Sequence, residues 1–263
     1  MTREENLDAI FRDGRTVILP IDHGVAIPVP GLETPFKLIE SVNPYVDCYV
    51  MNLGLAMRSV DLTQGKGICL RTDVYNVRTT GAGAGSIPVY GVDTAELIGA
   101  HAVMNMLFPF AENEDESIQA SADLVQASLD SDVPVILETL PYGLGQSDKY
   151  TVDNVRFAVR LAAELGADVV KTTFPTGASV EEFKSIISEC YVPVVVLGGA
   201  AMGDDASLFK MVEDSMKAGA AGIAIGRNVW QHPRPVAVAR SLHALVHEEA
   251  SALEALALMK EAL

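Results

Sequence analysis

The chain has 263 residues, of which 49% are hydrophobic, and a formal net charge of −16 at pH 7. This acidic excess argues against sequence-independent binding to nucleic acid or to an anionic membrane, because both need a basic protein face. Three cysteines without disulfide or metal-site spacing, and the lack of a signal peptide or an apolar run of membrane-spanning length, predict a cytoplasmic protein.

Short apolar, β-branched runs alternate with helical segments along the chain, which is the pattern of parallel βα units. Most of these runs lack polar alternation, as expected for strands that are covered on both faces. Eight strands are predicted, at residues 16–22, 47–52, 67–73, 100–107, 133–138, 167–173, 192–199 and 221–226. The count favours an α/β fold of the (β/α)8 TIM-barrel type. An open doubly wound sheet is the alternative, but the first turn, DHGVAIPVPG, lacks its glycine fingerprint.

The segments between the strands carry helix signals. Residues 112–132 open with acidic side chains that suit the positive end of a helix dipole, and residues 151–168 have Thr151 as a cap and Gly166 as a stop. The insert at residues 76–91 is interpreted as an irregular active-site rim. Residues 251–263 are predicted to form an extra C-terminal helix that covers this barrel or a neighbouring subunit. Because no flexible linker divides the chain, a single domain over residues 1–263 is predicted.

The active site of such a barrel lies at the carboxyl ends of the strands, so the residues there are the candidates for chemistry. They are Asp22, His23, Asn52, Arg71, Asp73, Glu138, Tyr142, Lys171, Gly198, Gly199, Gly226 and Arg227.

Lys171 ends the sixth predicted strand, directly after Val169 and Val170. In a dry barrel mouth, desolvation would lower the pKa of this lysine and provide a neutral amine that attacks a carbonyl to form a Schiff base. A lysine that is solvated at the rim, or that holds a phosphate as a point charge, is the alternative. Lys171 is therefore a candidate catalytic residue.

Asp22 follows the first strand, where its carboxylate could pair with Lys171 or move protons during imine formation. It could equally serve as a cap for a turn. The adjacent His23 is a weaker candidate, because neighbouring residues of a strand point to opposite sides.

Two glycine-containing loops follow the seventh and eighth strands, where barrel enzymes often bind phosphate. Gly198, Gly199 and Gly226 would let backbone N–H groups approach a phosphate, and Arg227 would add an ion pair. Tight turns with a surface arginine are the alternative. Arg71 is a candidate for a second anion contact. His243 and His247 have the spacing of a metal pair but are interpreted as a solvated helix face, so no metal site is predicted.

Four stretches resemble one known family: ILPIDHG (18–24), GADVVKTTFPT (166–176), VPVVVLGGA (192–200) and AGIAIGRNVWQHPRP (221–235). They are similar to the Schiff-base (class I) aldolases of the archaeal fructose-bisphosphate aldolase group. This group also includes a transaldolase-like enzyme of an aromatic amino-acid pathway and a thiolase acting on a phosphorylated quorum-sensing signal. The resemblance implies the (β/α)8 fold, an imine on Lys171 instead of a cofactor, the aspartate at Asp22, phosphate binding around Gly198, Gly199, Gly226 and Arg227, and a homo-oligomer.

The stretch after the fifth strand departs from this family. Its aldolases commonly have a tyrosine, which acts as general acid and base, followed by proline, arginine and glycine. Here Leu140 precedes Pro141 and Tyr142 follows it. Tyr142, Glu138 and Asp22 are therefore all candidates for proton transfer.

These observations predict an enzyme, an aldehyde-lyase that forms an imine with a phosphorylated keto sugar, as fructose-bisphosphate aldolase does. One alternative is a thiolase- or transaldolase-like transfer on a phosphorylated carbonyl compound. Others are a catalytically silent sugar-phosphate-binding protein and a phosphate-binding isomerase, which would need no lysine on the sixth strand.

Overall fold

The computed structural model describes residues 1–25, 30–75, 85–199 and 203–261. Eight parallel strands close into a barrel, each paired with its neighbours along the chain, and a two-stranded antiparallel hairpin (β4 and β5) interrupts their sequence. In chain order the strands are β1 (Thr16–Pro20), β2 (Cys48–Met51), β3 (Gly67–Arg71), β4 (Asp73–Tyr75), β5 (Ser86–Pro88), β6 (Ala102–Leu107), β7 (Val135–Thr139), β8 (Val169–Thr173), β9 (Val194–Leu197) and β10 (Gly222–Ala224).

Helices cover the outside of the barrel. In the described ranges, none of them combines the length and the hydropathy that a membrane span requires. They are α1 (Arg3–Ile10), α2 (Pro35–Val42), α3 (Leu53–Ala56), α4 (Val92–Ile98), α5 (Glu114–Ser128), α6 (Val152–Glu164), α7 (Val180–Ser188), α8 (Asp205–Lys217), α9 (Arg227–Trp230), α10 (Pro235–His247) and α11 (Ala252–Glu261).

The predicted (β/α)8 barrel is confirmed, and each predicted strand is found with fewer residues than predicted; the fifth, predicted at 133–138, spans Val135–Thr139. The helix signals around α6 are also found. The Thr151 hydroxyl accepts a hydrogen bond from the Asn154 N–H, and Gly166 has a φ of +102°, in the left-handed region where glycine ends helices.

The sequence predicts an irregular insert at residues 76–91, but part of it forms a strand. β5 lies within the insert and pairs with β4, which precedes it, with Asp73 opposite Pro88 and Tyr75 opposite Ser86. Residues 76–84 of the insert, among them Gly81 and Gly83, lie outside the described residues.

The barrel interior is apolar up to its carboxyl-terminal layer. Alternate residues of the strands point inward, so Ile136 and Val169 lie in the interior cluster and Glu138 and Lys171 lie two residues further along. At the opposite end α1 closes the barrel by inserting Ile10 into the same cluster. The guanidinium of Arg3 fixes this helix through two hydrogen bonds of 2.7 Å to the Asp168 carboxylate. Within the barrel interior, the charged side chains are therefore concentrated at the mouth, at the carboxyl ends of the strands.

The C-terminal helix α11 covers its own chain. Its Ala255 and Met259 are buried in a cluster with Phe209 and Val212 of α8. Ser241 of α10 donates from its hydroxyl to the Ala255 carbonyl over 2.9 Å. The sequence left open whether this helix covers its own barrel or a neighbouring subunit, and in the structure it packs on its own barrel. The single domain and the homo-oligomer stay predictions.

Candidate active site

The amine of Lys171 lies inside the barrel mouth. Lys171 is only 3% exposed, so the alternative of a lysine that is solvated at the rim does not hold. Nζ lies 2.8 Å from Glu138 Oε1 and 3.9 Å from the Met104 sulfur. Glu138 and Lys171 are register partners on the adjacent strands β7 and β8, which explains why their side chains meet. The Lys171 amine is thus shielded from solvent and belongs to an ion pair.

Arg71 links the carboxylates of the mouth. Arg71 is only 1% exposed. Its guanidinium donates from Nε to Asp22 Oδ2 over 2.7 Å and from Nη1 to Asp73 Oδ1 over 3.4 Å. Its Nη2 donates to Glu138 Oε2. The sequence offered Arg71 as a second anion contact. In the structure its donors face these three carboxylates, so the residue organises the site from within.

Asp22 is completely buried and pairs with Arg71, whereas the sequence suggested Lys171 as its partner. Burial alone would raise the pKa of Asp22, but the Arg71 guanidinium, helped by His23 and Lys171, holds it far below its ordinary value. The second oxygen, Oδ1, has no hydrogen bond within the described part of the chain and lies 3.4 Å from His23 Nδ1. This carboxylate therefore stays ionised, with its second oxygen buried beside His23.

The other two carboxylates respond to burial differently. Burial raises the pKa of Glu138, but the charges of Lys171 and Arg71 outweigh it and the pKa is lowered. For Asp73 burial prevails over the Arg71 charge and raises the pKa, although the carboxylate accepts hydrogen bonds from the Ser86 hydroxyl and the Met106 N–H. Asp73 thereby ties the hairpin to the barrel.

Two further ring side chains reach the site: His23, the weaker candidate of the sequence, and Tyr75, which the sequence did not select. β1 ends at Pro20, so the turn His23–Val25 releases His23 from strand alternation and brings it beside Asp22. Tyr75 of β4 is buried, with its hydroxyl 3.4 Å from Asp22 Oδ2 and its ring 4.9 Å from the Arg71 guanidinium carbon. The alternation of a strand through Asp73 and Tyr75 was the signal that could have found this phenol.

Tyr142, predicted as catalytic, packs against Phe110 and not against the Lys171–Glu138 pair. Its residue is 36% exposed, has a φ of +63°, and its ring packs against Phe110 at 5.3 Å between centroids. Within the described chain, no hydrogen bond joins Tyr142 to Lys171 or Glu138. Its catalytic role stays a prediction that lacks a supporting contact.

The two glycine loops lie together, as the sequence predicted. Asn228, which sequence reasoning did not select, donates from Nδ2 to the Gly198 carbonyl over 3.2 Å and so connects them. A Cβ on Gly226 would lie 2.5 Å from the Pro20 carbonyl oxygen, and Gly199 has a φ of +63°, so both positions favour glycine. Arg227 is half-buried, and its Nε has no hydrogen-bond partner among the described residues. Ala200, which ends the resembling stretch, lies outside those residues.

A family model described as "DeoC/LacD family aldolase" matches residues 16–232. Three curated relatives differ in their named activities. The 2-amino-3,7-dideoxy-D-threo-hept-6-ulosonate synthase 1 of Archaeoglobus fulgidus is 32% identical, over 93% of this chain and 91% of that protein. The class 1 fructose-bisphosphate aldolase of Halobacterium salinarum is 30% identical, over 94% and 96%. The 3-hydroxy-5-phosphonooxypentane-2,4-dione thiolase of Photorhabdus laumondii is 30% identical, over 96% and 84%.

Solved structures give the same relationship. An archaeal fructose 1,6-bisphosphate aldolase superposes with a TM-score of 0.83 at 26% identity, over 94% of this chain and all of that one. A second such aldolase, with its catalytic lysine covalently bound to a carbinolamine intermediate, has a TM-score of 0.82 at 26% identity, over 93% and 99%. These matches confirm the predicted family, fold and enzyme class, a class I aldolase.

Proposed function

Because this chain belongs to the DeoC/LacD family of aldolases, we propose that it makes or cleaves a carbon–carbon bond in a phosphorylated keto sugar through an imine at Lys171. The observation that carries the proposal is the buried Lys171 amine at the carboxyl end of β8, 2.8 Å from a carboxylate oxygen. An amine in that position has a proton acceptor at hand when a carbonyl carbon approaches it.

The imine supplies the chemistry that would otherwise need a cofactor. In the cleavage direction a base removes a hydroxyl proton, the carbon–carbon bond breaks, and the iminium accepts the electron pair as an enamine. Protonation of the enamine carbon and addition of water then release the ketone and the free amine. No other electron sink is required, so the proposal includes neither a metal nor an organic cofactor.

Asp22 suits the electrostatic part of this reaction. Its Arg71 partner keeps it ionised, and a fixed negative charge stabilises the developing iminium cation. Its unbonded Oδ1 can accept a hydrogen bond from a substrate hydroxyl and so orient the bond to be cleaved. Because a strongly lowered pKa makes a weak base, we assign Asp22 to orientation and charge stabilisation.

The phosphate of the substrate is assigned to the loops that follow β9 and β10. Gly198, Gly199 and Gly226 lie in these loops, where the lack of a side chain would let an anion approach the backbone N–H groups, and Arg227 has a donor without a partner in the described chain. A phosphate held there would fix one end of the ketone while its carbonyl carbon meets Lys171.

Fructose 1,6-bisphosphate is the first substrate to test, since an aldolase relative carries that name. A transaldolase-like transfer is the second candidate, favoured by the 32% identity to the heptulosonate synthase. A thiolase-like acyl transfer would use Lys171 for acid–base chemistry without an imine.

Turnover tests the proposal. Wild type and Lys171→Met are incubated with a panel of phosphorylated ketoses, and aldehyde release is measured. We expect wild type to cleave at least one of them and Lys171→Met to lose several orders of magnitude in rate, as for removal of other covalent catalysts.

The matched control is Lys184→Met, which changes an exposed lysine of α7. It should keep full activity, and circular dichroism should show that both variants are folded. A folded Lys171→Met variant with wild-type turnover would refute the proposal.

A further inference from the structure

We propose that Glu138 is the proton carrier of imine formation, moving protons from the Lys171 nitrogen to the carbonyl oxygen of the substrate. This inference rests on the proposed function, since it describes how the imine at Lys171 forms. The sequence offered Tyr142, Glu138 and Asp22 for this role, and the geometry points to Glu138.

The geometry fixes each oxygen of the Glu138 carboxylate on a different partner. Oε1 lies 2.8 Å from Lys171 Nζ, and Oε2 accepts a hydrogen bond from Arg71 Nη2. Arg71 is in turn held by Asp22, so the carboxylate cannot rotate away without breaking a buried ion pair. One oxygen therefore stays directed at the reacting nitrogen.

The other candidates lack this contact. Leu140, at the position of the family's tyrosine, has no exchangeable side-chain proton and is buried in the helix-facing core. Tyr142 packs on Phe110, and Asp22 pairs with Arg71. Among the described residues, Glu138 alone has a side-chain oxygen within hydrogen-bond distance of Lys171 Nζ.

The proton balance of imine formation needs only this carboxylate. Of the three protons on the Lys171 ammonium, one remains on the iminium nitrogen and two leave with the carbonyl oxygen as water. Glu138 accepts the first, the neutral nitrogen attacks the carbonyl carbon, and the carboxylic acid protonates the resulting alkoxide to give the carbinolamine. Glu138 then takes the second proton from nitrogen and gives it to the hydroxyl. Water departs as the nitrogen lone pair forms the second C–N bond, and Glu138 ends ionised.

Electrostatics favour each transfer in this order. The Lys171 charge is the largest influence that lowers the pKa of Glu138, against burial, which raises it. When the nitrogen becomes neutral in the carbinolamine, that influence is removed and the pKa of Glu138 rises relative to its value beside the ammonium, which favours the protonated acid when a donor is needed. When the iminium forms, the positive charge returns and the carboxylate ionises again.

Rapid-quench trapping tests this role. Enzyme is mixed with dihydroxyacetone phosphate, borohydride is added after increasing times, and the reduced Lys171 adduct is quantified by intact mass. Glu138→Gln keeps the size of the side chain and one acceptor oxygen, places an amide nitrogen where the second acceptor was, and cannot carry a proton at neutral pH. We expect its adduct to form about 100-fold more slowly or worse, as for loss of other general acid–base residues.

Chemical rescue separates proton transfer from packing. In Glu138→Ala, added formate should restore adduct formation in proportion to its concentration, because a small carboxylic acid can occupy the vacated space. Val170→Ala is the matched control, since it removes buried volume from the same strand as Lys171 but on the helix-facing side. It should lower stability and keep the wild-type trapping rate.

The outcomes distinguish the two proposals. Wild-type trapping at Lys171 with an equally fast Glu138→Gln would overturn the role of Glu138 and leave the imine intact. No adduct in wild type, despite turnover of a ketose, would overturn both. If Glu138→Gln does not fold, Glu138→Asp decides: it keeps the charge but withdraws the oxygen from Nζ, and an unchanged trapping rate would contradict the inference.

Discussion

Arg71 Nε donates to Asp22 Oδ2 over 2.7 Å at a point where both side chains are buried. The same guanidinium also reaches Asp73 and Glu138, so one cation contacts three buried carboxylates, of which Glu138 has Lys171 as a second cationic partner. Removing one member of a buried ion-pair network leaves the remaining charges without compensation. The stability of the barrel mouth therefore depends on Arg71.

We expect Arg71→Met to lower the free energy of unfolding by about 3–5 kcal/mol, because Asp22 and Glu138 would remain buried without a guanidinium. Urea denaturation near neutral pH measures this. The control is Arg12→Met, at an exposed arginine, which should change the free energy of unfolding by less than about 0.5 kcal/mol. A loss below about 1 kcal/mol for Arg71→Met, within the range of exposed ion pairs, would show that the network is solvated.

Acid should destabilise the protein through the same carboxylates. The pKa values of Asp22 and Glu138 are lowered in the fold, so their contribution is complete above their unfolded pKa and is lost as the pH falls toward the folded values. Asp73, whose pKa is raised, has the opposite sign and its contribution is lost as the pH rises through its folded pKa. We expect the free energy of unfolding to fall below about pH 4–5, where model carboxylates titrate.

Asp22→Asn removes one of these groups. The decrease in its free energy of unfolding with falling pH should be less steep than that of wild type by up to about 1.4 kcal/mol per pH unit, the value for one proton. Urea denaturation at a series of pH values gives the slope independently of any uniform loss of stability. A decrease as steep as that of wild type would contradict the lowered pKa of Asp22.

Gly226→Ala tests the close approach of β10 to the end of β1. The new Cβ would lie 2.5 Å from the Pro20 carbonyl oxygen and 2.9 Å from Trp230 Nε1, where the indole donates to that carbonyl. We expect a loss of about 1–3 kcal/mol in the free energy of unfolding, as for other overpacked sites. Gly91→Ala, with open space around the added methyl group and a φ of −124°, should lose less than about 1 kcal/mol, the scale of a weakened N-cap of α4. Equal losses in both variants would contradict this account.

Arg227→Met tests the phosphate assignment. Loss of a charge-assisted hydrogen bond of about 1.5–3 kcal/mol should weaken dihydroxyacetone phosphate binding by about 10- to 150-fold. Isothermal titration calorimetry measures this, with Arg58→Met at an exposed arginine as the control. Unchanged affinity in Arg227→Met would place the phosphate elsewhere.

The barrel and the position of Lys171 at its mouth could be predicted because they follow from simple periodicities. Apolar runs at regular spacing gave the strands, and the rule that barrel sites lie at strand ends selected Lys171 and Glu138. Their contact is also local in origin, since they are register partners on adjacent strands.

The partners of Arg71 could not be predicted in the same way. Asp22 follows β1 and Glu138 lies on β7, so their meeting at one guanidinium depends on barrel closure and on side-chain conformations. The location of Tyr142 could not be predicted for a local reason. Its backbone is left-handed and its ring packs against Phe110, which the position at a strand end does not reveal.

Borohydride trapping followed by peptide mapping tests the imine at Lys171 most directly. Wild type is incubated with the phosphorylated ketose that it turns over, reduced, digested and analysed by mass spectrometry. We expect a stable adduct of ketone mass on the peptide that contains Lys171, and none in Lys171→Met. An adduct on a different lysine, or turnover without any adduct, would contradict the account.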